Sequence, residues 1–200
     1  MDTRRAEAFS DGVFAVAITV LVFNLLAINP AVLRLHDLTA KAWPSYFAYV
    51  VSFLTIGIMW MNHHTIFAHI TRVDRPVLVL NLFLLLGVVA IPWPTALVAK
   101  QLQHSGGALA AVTYGLVMIL ISVGFAGLWV YVVTHAAKLG GRVEPETLRR
   151  SIPGFTGGLL AYAAGTVLAA LGLPIIALIL YGLLGVYYLF EHLPAPAGTA

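Results

Sequence analysis

The chain has 200 residues, 60% of them hydrophobic and only 10% charged, where a soluble domain carries about 25% charged residues. Its mean hydropathy is +0.94, which leaves too little polar side chain to cover a water-facing surface. That excludes a soluble enzyme, a nucleic-acid binder and a disordered regulator. The net charge of +3 does not gather into one patch. The charges punctuate long apolar runs, the pattern of a polytopic membrane protein. Cysteine is absent, so there is no disulfide framework, thiolate metal site or cysteine nucleophile.

A helix crossing about 30 Å of hydrocarbon needs roughly 20 apolar residues. Gly12 to Leu33 contains no ionised residue and supplies the first span. Ala42 to Thr71, Pro76 to Ala99 and Ser105 to Thr134 supply three more. Ser151 to Phe190 is uncharged but too long for one crossing, and Leu171-Gly172-Leu173-Pro174 interrupts it. Glycine ends helices and proline suits a first helical turn, so this stretch predicts a tight hairpin between two short spans. The expected fold is an all-α polytopic membrane protein with about six transmembrane helices in one domain, residues 1–193, and a frayed tail, 194–200. Arg4, Arg5 and Ala15-Val16-Ala17 imitate a signal peptide, but the small residues lie inside the apolar run and Asp11 interrupts its start. The first helix is therefore expected to be retained.

The placement of Lys and Arg sets the expected orientation. With the N-terminus inside, the inner side holds Arg4, Arg5, Arg72, Arg75, Lys138, Arg142, Arg149 and Arg150. The outer side holds Arg34, Lys41 and Lys100. Both termini are expected in the cytoplasm, in a multi-pass protein of the cell membrane. The first three helices share no motif with the last three, so no repeat is read. Gly154, Gly157, Gly158 and Gly165 on the fifth span read as helix-packing positions.

Polar residues inside apolar runs are costly and mark functional sites. Ser10 and Asp11 lie near the start of helix one, where an acid also suits a positive helix N-terminus. Trp60-Met61-Asn62-His63-His64 lies near the inner end of helix two. Helix one leaves the cytoplasm and helix two returns to it, so both clusters fall at one depth, as a buried hydrogen-bond network requires. Neighbouring histidines point about 100° apart on a helix and do not chelate one ion together. The i, i+4 histidine pair of helical zinc sites is missing, and no metal is expected. On a wheel of 100° per residue, Phe9, Val16, Val20, Phe23 and Ala27 share one apolar stripe. Thr19 and Asn24 flank it, and either could instead bond its own helix.

The run Arg5-Ala-Glu-Ala-Phe-Ser-Asp-Gly-Val-Phe-Ala-Val-Ala-Ile-Thr19 closely resembles the first helix of the transmembrane protein 175 family, the endolysosomal potassium channel of animals and its bacterial relatives. Trp60-Met-Asn-His-His-Thr-Ile-Phe67 resembles the family's second-helix motif, in the same order and at the same depth. The resemblance implies a homotetramer in the lipid bilayer, with helix one of each subunit lining a central pore for potassium ions. It implies no cofactor, no enzyme activity and no nucleic-acid partner. Apolar side chains of helix one form the constriction in the family; by position these are Val16, Val20 and Phe23. Thr19 matches a threonine implicated in cation preference, and Asn24 and Ala27 fall at the outer pore mouth. Arg5, Phe9, Ser10, Asp11 and His63 or His64, with Trp60 and Asn62 beside them, are implied as the inter-helix network. Relatives often have Ile where this chain has Val16, Leu where it has Phe23, and an acid where it has Asn24.

A ring of Val or Phe offers a potassium ion neither oxygen ligands nor water, so it reads as a hydrophobic gate that dewets when narrow. The reading that follows is a potassium-permeable cation channel of modest selectivity. The alternative is a proton-coupled secondary transporter with Asp11 and His63/His64 as a relay. An intramembrane enzyme lacks both a nucleophile constellation and a metal-ligand set.

Overall fold

The computed structural model describes residues 3–26, 43–141, 149 and 151–190. The elements among these residues are all helices: α1 (Thr3–Val20), α2 (Phe23–Leu26), α3 (Trp43–Ala68), α4 (Arg75–Ala90), α5 (Pro92–Gln101), α6 (Gly107–Thr134), α7 (Ile152–Ala170) and α8 (Pro174–Leu189). Two pairs run on as single spans, Thr3–Leu25 and Arg75–Gln101. With Trp43–Ala68, Gly107–Thr134 and Ile152–Ala170, they make five segments long and apolar enough to cross a membrane. The sixth, α8, is apolar but has 16 residues, about 24 Å of rise.

The hairpin expected at Leu171–Pro174 is present. Gly172 has φ +85°, which a residue with a Cβ rarely adopts. Leu173 N–H reaches back to Leu168 O at 3.0 Å and Gly172 N–H to Ala169 O at 3.1 Å, so the orphan carbonyls ending α7 are satisfied before Pro174 opens α8. The third span has an interruption that the sequence reading did not separate out. Pro92 has no N–H to give, so Val88 O takes the Ile91 N–H at 3.1 Å instead, and the helix restarts as α5.

α6 is the central element. It packs along α7 on one side and α4 on the other, while α8 closes against α7 and α3. Two glycines let α4 and α6 touch: a Cβ at Gly87 would lie 2.6 Å from Ile121 Cγ1, and one at Gly124 3.0 Å from Leu84 Cα. On α7, Gly158 and Gly165 lie against Tyr188 and Tyr181, whereas Gly154 and Gly157 face open space. The packing role expected of the four therefore falls on two.

Where α3 turns into α4, Asp74 caps α4 by accepting Val77 N–H at 3.2 Å. Its other oxygen accepts from Tyr131 Oη at 2.8 Å and Lys138 Nζ at 2.6 Å. Thr71 and Arg72 N–H both bond Leu139 O, at 3.0 and 3.1 Å. Arg72, Arg75 and Lys138 are thus gathered at one end of the bundle. Burial pushes the Asp74 carboxyl up, but the bonds from Lys138, Tyr131 and the Val77 amide together outweigh it and hold the group at about 2. The bond to Asp74 raises the Lys138 ammonium above its ordinary value. The tail, 194–200, and most of the Arg142–Arg150 loop lie outside the described residues.

Candidate pore-lining helix and its anchors

α1 has two faces. Thr3, Ala6, Ser10, Phe14 and Ala17 are buried, and the helix packs on α3 and α4. On the far side, Phe9 is 55% exposed, Val16 58%, Val20 37% and Phe23 64%. The apolar stripe read from the wheel is therefore the uncovered face. Ala27 lies outside the described residues.

α1 begins at Thr3, so Asp11 stands in its third turn rather than its first. The helix-terminus account of this acid fails, because the dipole's effect fades within one turn. Asp11 instead accepts a hydrogen bond from Trp60 Nε1 at 2.8 Å. Asp11 is exposed and Trp60 partly so.

Ser10 belongs to a different and fully buried group. Its hydroxyl bonds Ala6 O at 2.8 Å and meets Asn81 Nδ2 at 2.9 Å. Asn81 Oδ1 lies 2.8 Å from His63 Nε2. The His63 ring stacks on Phe67, centroids 4.5 Å apart, and takes the Phe14 ring edge-on at 5.4 Å. Asn81, on α4, is the residue the sequence reading missed, although it joins the first two spans through the third.

The one network expected thus separates into three parts. Ser10 and His63 meet through Asn81. Asp11 and Trp60 pair on the surface, where His64 stacks on the Trp60 ring at 6.3 Å. Asn62 turns away, donating to Ile58 O at 2.9 Å and Tyr188 O at 3.0 Å, which ties α3 to α8. The reason is the 100° step between neighbours on a helix: Asn62, His63 and His64 cannot share a face. Arg5 and Phe9 are exposed, and among the described residues no hydrogen bond joins them to these groups. Also among the described residues, no three His, Asp or Glu groups converge as a metal site would need.

Above Ile18 the helix tightens. Leu21 N–H bonds Ile18 O and Val22 N–H bonds Thr19 O, both at 3.3 Å, and Asn24 and Leu25 likewise bond three residues back. Three residues per turn advance about 120° each instead of 100°. This tightened turn between α1 and α2 carries Asn24 off the face that the straight wheel assigned it. Its side chain is half-buried and donates to Pro92 O at 3.2 Å, fastening the end of the first span to the break in the third. Phe23 stays exposed. Thr19 is exposed too; its hydroxyl donates to Val16 O at 2.9 Å, so its lone pairs remain outward.

A membrane-crossing bundle whose first helix is buttressed on one face and left apolar and open on the other is of the helical channel class. The chain belongs to the TMEM175 family of ion channels, which are not enzymes. The family described as endosomal/lysosomal potassium channel TMEM175 matches residues 5–92. Across its whole length the chain is similar to a protein named Potassium channel B446_29190 from Streptomyces collinus, 42% identical over 203 residues, 100% of this chain and 97% of that protein. It is 38% identical over 146 residues, 72% of each, to Potassium channel Cha6605_3372 from Chamaesiphon minutus. A protein of Danio rerio named endosomal/lysosomal proton channel TMEM175 is 33% identical over 61% of this chain, which corresponds to 25% of that longer protein. The fold matches the crystal structure of a lysosomal potassium-selective channel TMEM175 homolog from Chamaesiphon minutus, with a TM-score of 0.80 and 31% identity, over 93% of this chain and 95% of that one.

Proposed function

We propose that this chain is a potassium-permeable cation channel, a homotetramer in which α1 of each subunit lines a central pore. The observation that carries this reading is the exposed stripe of α1. Phe9, Val16, Val20 and Phe23 stand 37–64% exposed on a helix whose opposite face is buried, and Val16, Val20 and Phe23 are the gating positions. Four copies around an axis turn these side chains inward and build an apolar constriction that dewets when narrow. Thr19 lies between the Val16 and Val20 levels with its lone pairs outward, and a ring of four supplies the oxygen ligands for a modest preference for potassium over sodium. The relatives named as potassium channels support potassium as the permeant ion, and no cofactor is needed. Residues 1–193 form the channel domain, with 194–200 a tail. Both termini lie in the cytoplasm of a multi-pass protein of the cell membrane, in line with the cationic end that gathers Arg72, Arg75 and Lys138.

The transporter alternative is not favoured: the relatives carry channel names, and Asp11 shares no bond with His63 that would make a relay. Reconstitution into liposomes, with potassium and sodium flux measured in parallel, tests the proposal. Ohmic single-channel currents that reverse toward the potassium equilibrium potential are expected. Saturable flux driven by a proton gradient refutes it.

A further inference from the structure

Away from α1, helices α3, α6, α7 and α8 leave a cavity of about 470 Å³ of free space, counting the part open to the surroundings. Met59, Ile121 and Phe125 give it an apolar wall. Of the hydroxyl-bearing residues that line it, Thr55 and Tyr188 donate to the carbonyls of Val51 and Gly154, while Ser122, at 9% exposure, and Tyr162, at 4%, face into it. Among the described residues neither hydroxyl has a hydrogen-bond partner, yet no fully enclosed polar atom goes unpaired. The two hydroxyls therefore open onto the cavity itself. Asn62 lies beside them, and both of its recorded bonds are made by Nδ2, which leaves Oδ1 as a spare acceptor. No charged side chain lines the space. Gly185 forms part of the wall, and a Cβ there would meet only Thr55 Oγ1, at 3.8 Å.

We propose that this cavity is a binding site for a small uncharged molecule with an apolar body and one hydroxyl head, of the class of simple phenols and alcohols. The head is uncharged because nothing in the wall would pair an ion, and desolvating one there is costly. It carries a hydroxyl because Ser122 and Tyr162 each donate and accept while Asn62 Oδ1 accepts, a set that one O–H satisfies from both sides. The body is compact because the free space includes the open mouth, so the enclosed part is smaller than the whole. The site lies against the face of α3 that carries Met59 and Asn62, so an occupant presses on the helix against which α1 packs.

Photolabelling tests this in a way that does not depend on conduction. The purified protein in lipid nanodiscs is irradiated with a phenol bearing a short diazirine-alkyl chain, and adducts are mapped by mass spectrometry. A monoacylglycerol with a diazirine in its acyl chain is run alongside. Adducts on Met59, Ile121 or Phe125, displaced by excess unlabelled phenol, are expected. Labelling by the monoacylglycerol as well identifies a lipid source for the same chemistry; labelling by the phenol alone identifies a soluble one. Gly185→Leu fills the cavity and abolishes these adducts. Ser122→Ala removes one hydrogen bond and weakens displacement roughly fivefold. Both variants are to keep the wild-type size-exclusion profile, and if Gly185→Leu does not, Gly185→Val takes its place. Adducts scattered over the lipid-facing helices, or unchanged in the filled variant, overturn the proposal. So does protein that labels nowhere in the cavity, which then holds water only.

Discussion

Asn81 donates through Nδ2 to Ser10 Oγ at 2.9 Å, and this bond sets the direction of the whole buried chain. Ser10 has one proton and directs it to Ala6 O, so it must accept from Asn81. The Asn81 amide then turns its oxygen to His63, which carries its proton on Nε2. Donation runs one way, from His63 to Asn81 to Ser10 to the backbone of α1. The arrangement satisfies every polar atom that the three side chains turn toward one another.

Replacing the middle member strands both ends. Asn81→Leu leaves Ser10 and His63, both buried, without their partner, and is expected to cost roughly 2–4 kcal/mol of stability. The melting of the detergent-solubilised protein, followed by size exclusion after heating, reads this directly. An Asn81→Leu protein as heat-resistant as the wild type would remove the chain from any structural role.

Asp11→Ala acts elsewhere. Its partner Trp60 is partly exposed, so the subunit itself loses under about 1 kcal/mol. On the proposed tetramer, the expected result is a shift from tetramer toward smaller species with ion preference unchanged. A normal tetramer with altered selectivity would move Asp11 into the pore.

Thr19→Val keeps the shape of the side chain and removes the outward lone pairs. The potassium preference is expected to fall by about two- to fivefold, up to roughly 1 kcal/mol. Reversal potentials under bi-ionic conditions measure it, and an unchanged value places selectivity at another level of α1.

The gate prediction concerns Phe23, the most exposed side chain of the stripe and the first residue of α2, just past the tightened turn. Four Phe side chains close a pore more fully than four Val, so the narrowest level of the proposed tetrameric pore is expected at Phe23, roughly 10–12 Å beyond Val16. Phe23→Ala is expected to raise resting cation flux at least about tenfold and more than Val16→Ala does, in liposomes of matched protein content. The reverse order would put the gate at the inner level.

The Asp74–Lys138 pair gives a pH signature. The Asp74 carboxyl is lowered from 3.8 to about 2, so its contribution is complete above pH 3.8 and is lost as pH falls through 2. Lys138 is raised from 10.5, so its contribution is present below pH 10.5 and is lost above its raised value. With Lys138 largely in water, the pair contributes little and is screened by salt. Loss of the α4 cap in Asp74→Ala costs roughly 1 kcal/mol. Melting temperature against pH checks both: the wild type softens between pH 4 and 2, and Asp74→Asn flattens that slope.

The spans were readable because a run of some twenty apolar residues has few other uses, and the glycine–proline pair of the hairpin states its own geometry. The common depth of the Ser10–Asp11 and Trp60–His64 clusters followed from the alternating direction of the spans. Asn81 carried the same signal unread. It sits six residues into α4, as His63 sits five before the end of α3, so the two had to be level. A lone amide among leucines drew no attention beside two histidines and an aspartate. The turning of Asn24 toward Pro92 was not legible, because it depends on a switch from four-residue to three-residue bonding that an apolar sequence does not announce. Nor was the Asp74–Lys138 pair, which joins residues far apart in the chain through the packing of α4 on α6.

The brevity of α8 has a bearing on the membrane around it. A helix rising about 24 Å beside a hydrocarbon layer of about 30 Å leaves a deficit of roughly 6 Å. The exposed apolar residues Ile175, Ile179 and Leu183 face outward along that edge. Lipid there has to shorten or tilt to meet them, at a fraction of a kcal/mol per Å. Such a mismatch is expected to favour thin bilayers over thick ones, and to make acyl-chain length a variable that sets how firmly the α7–α8 corner is held.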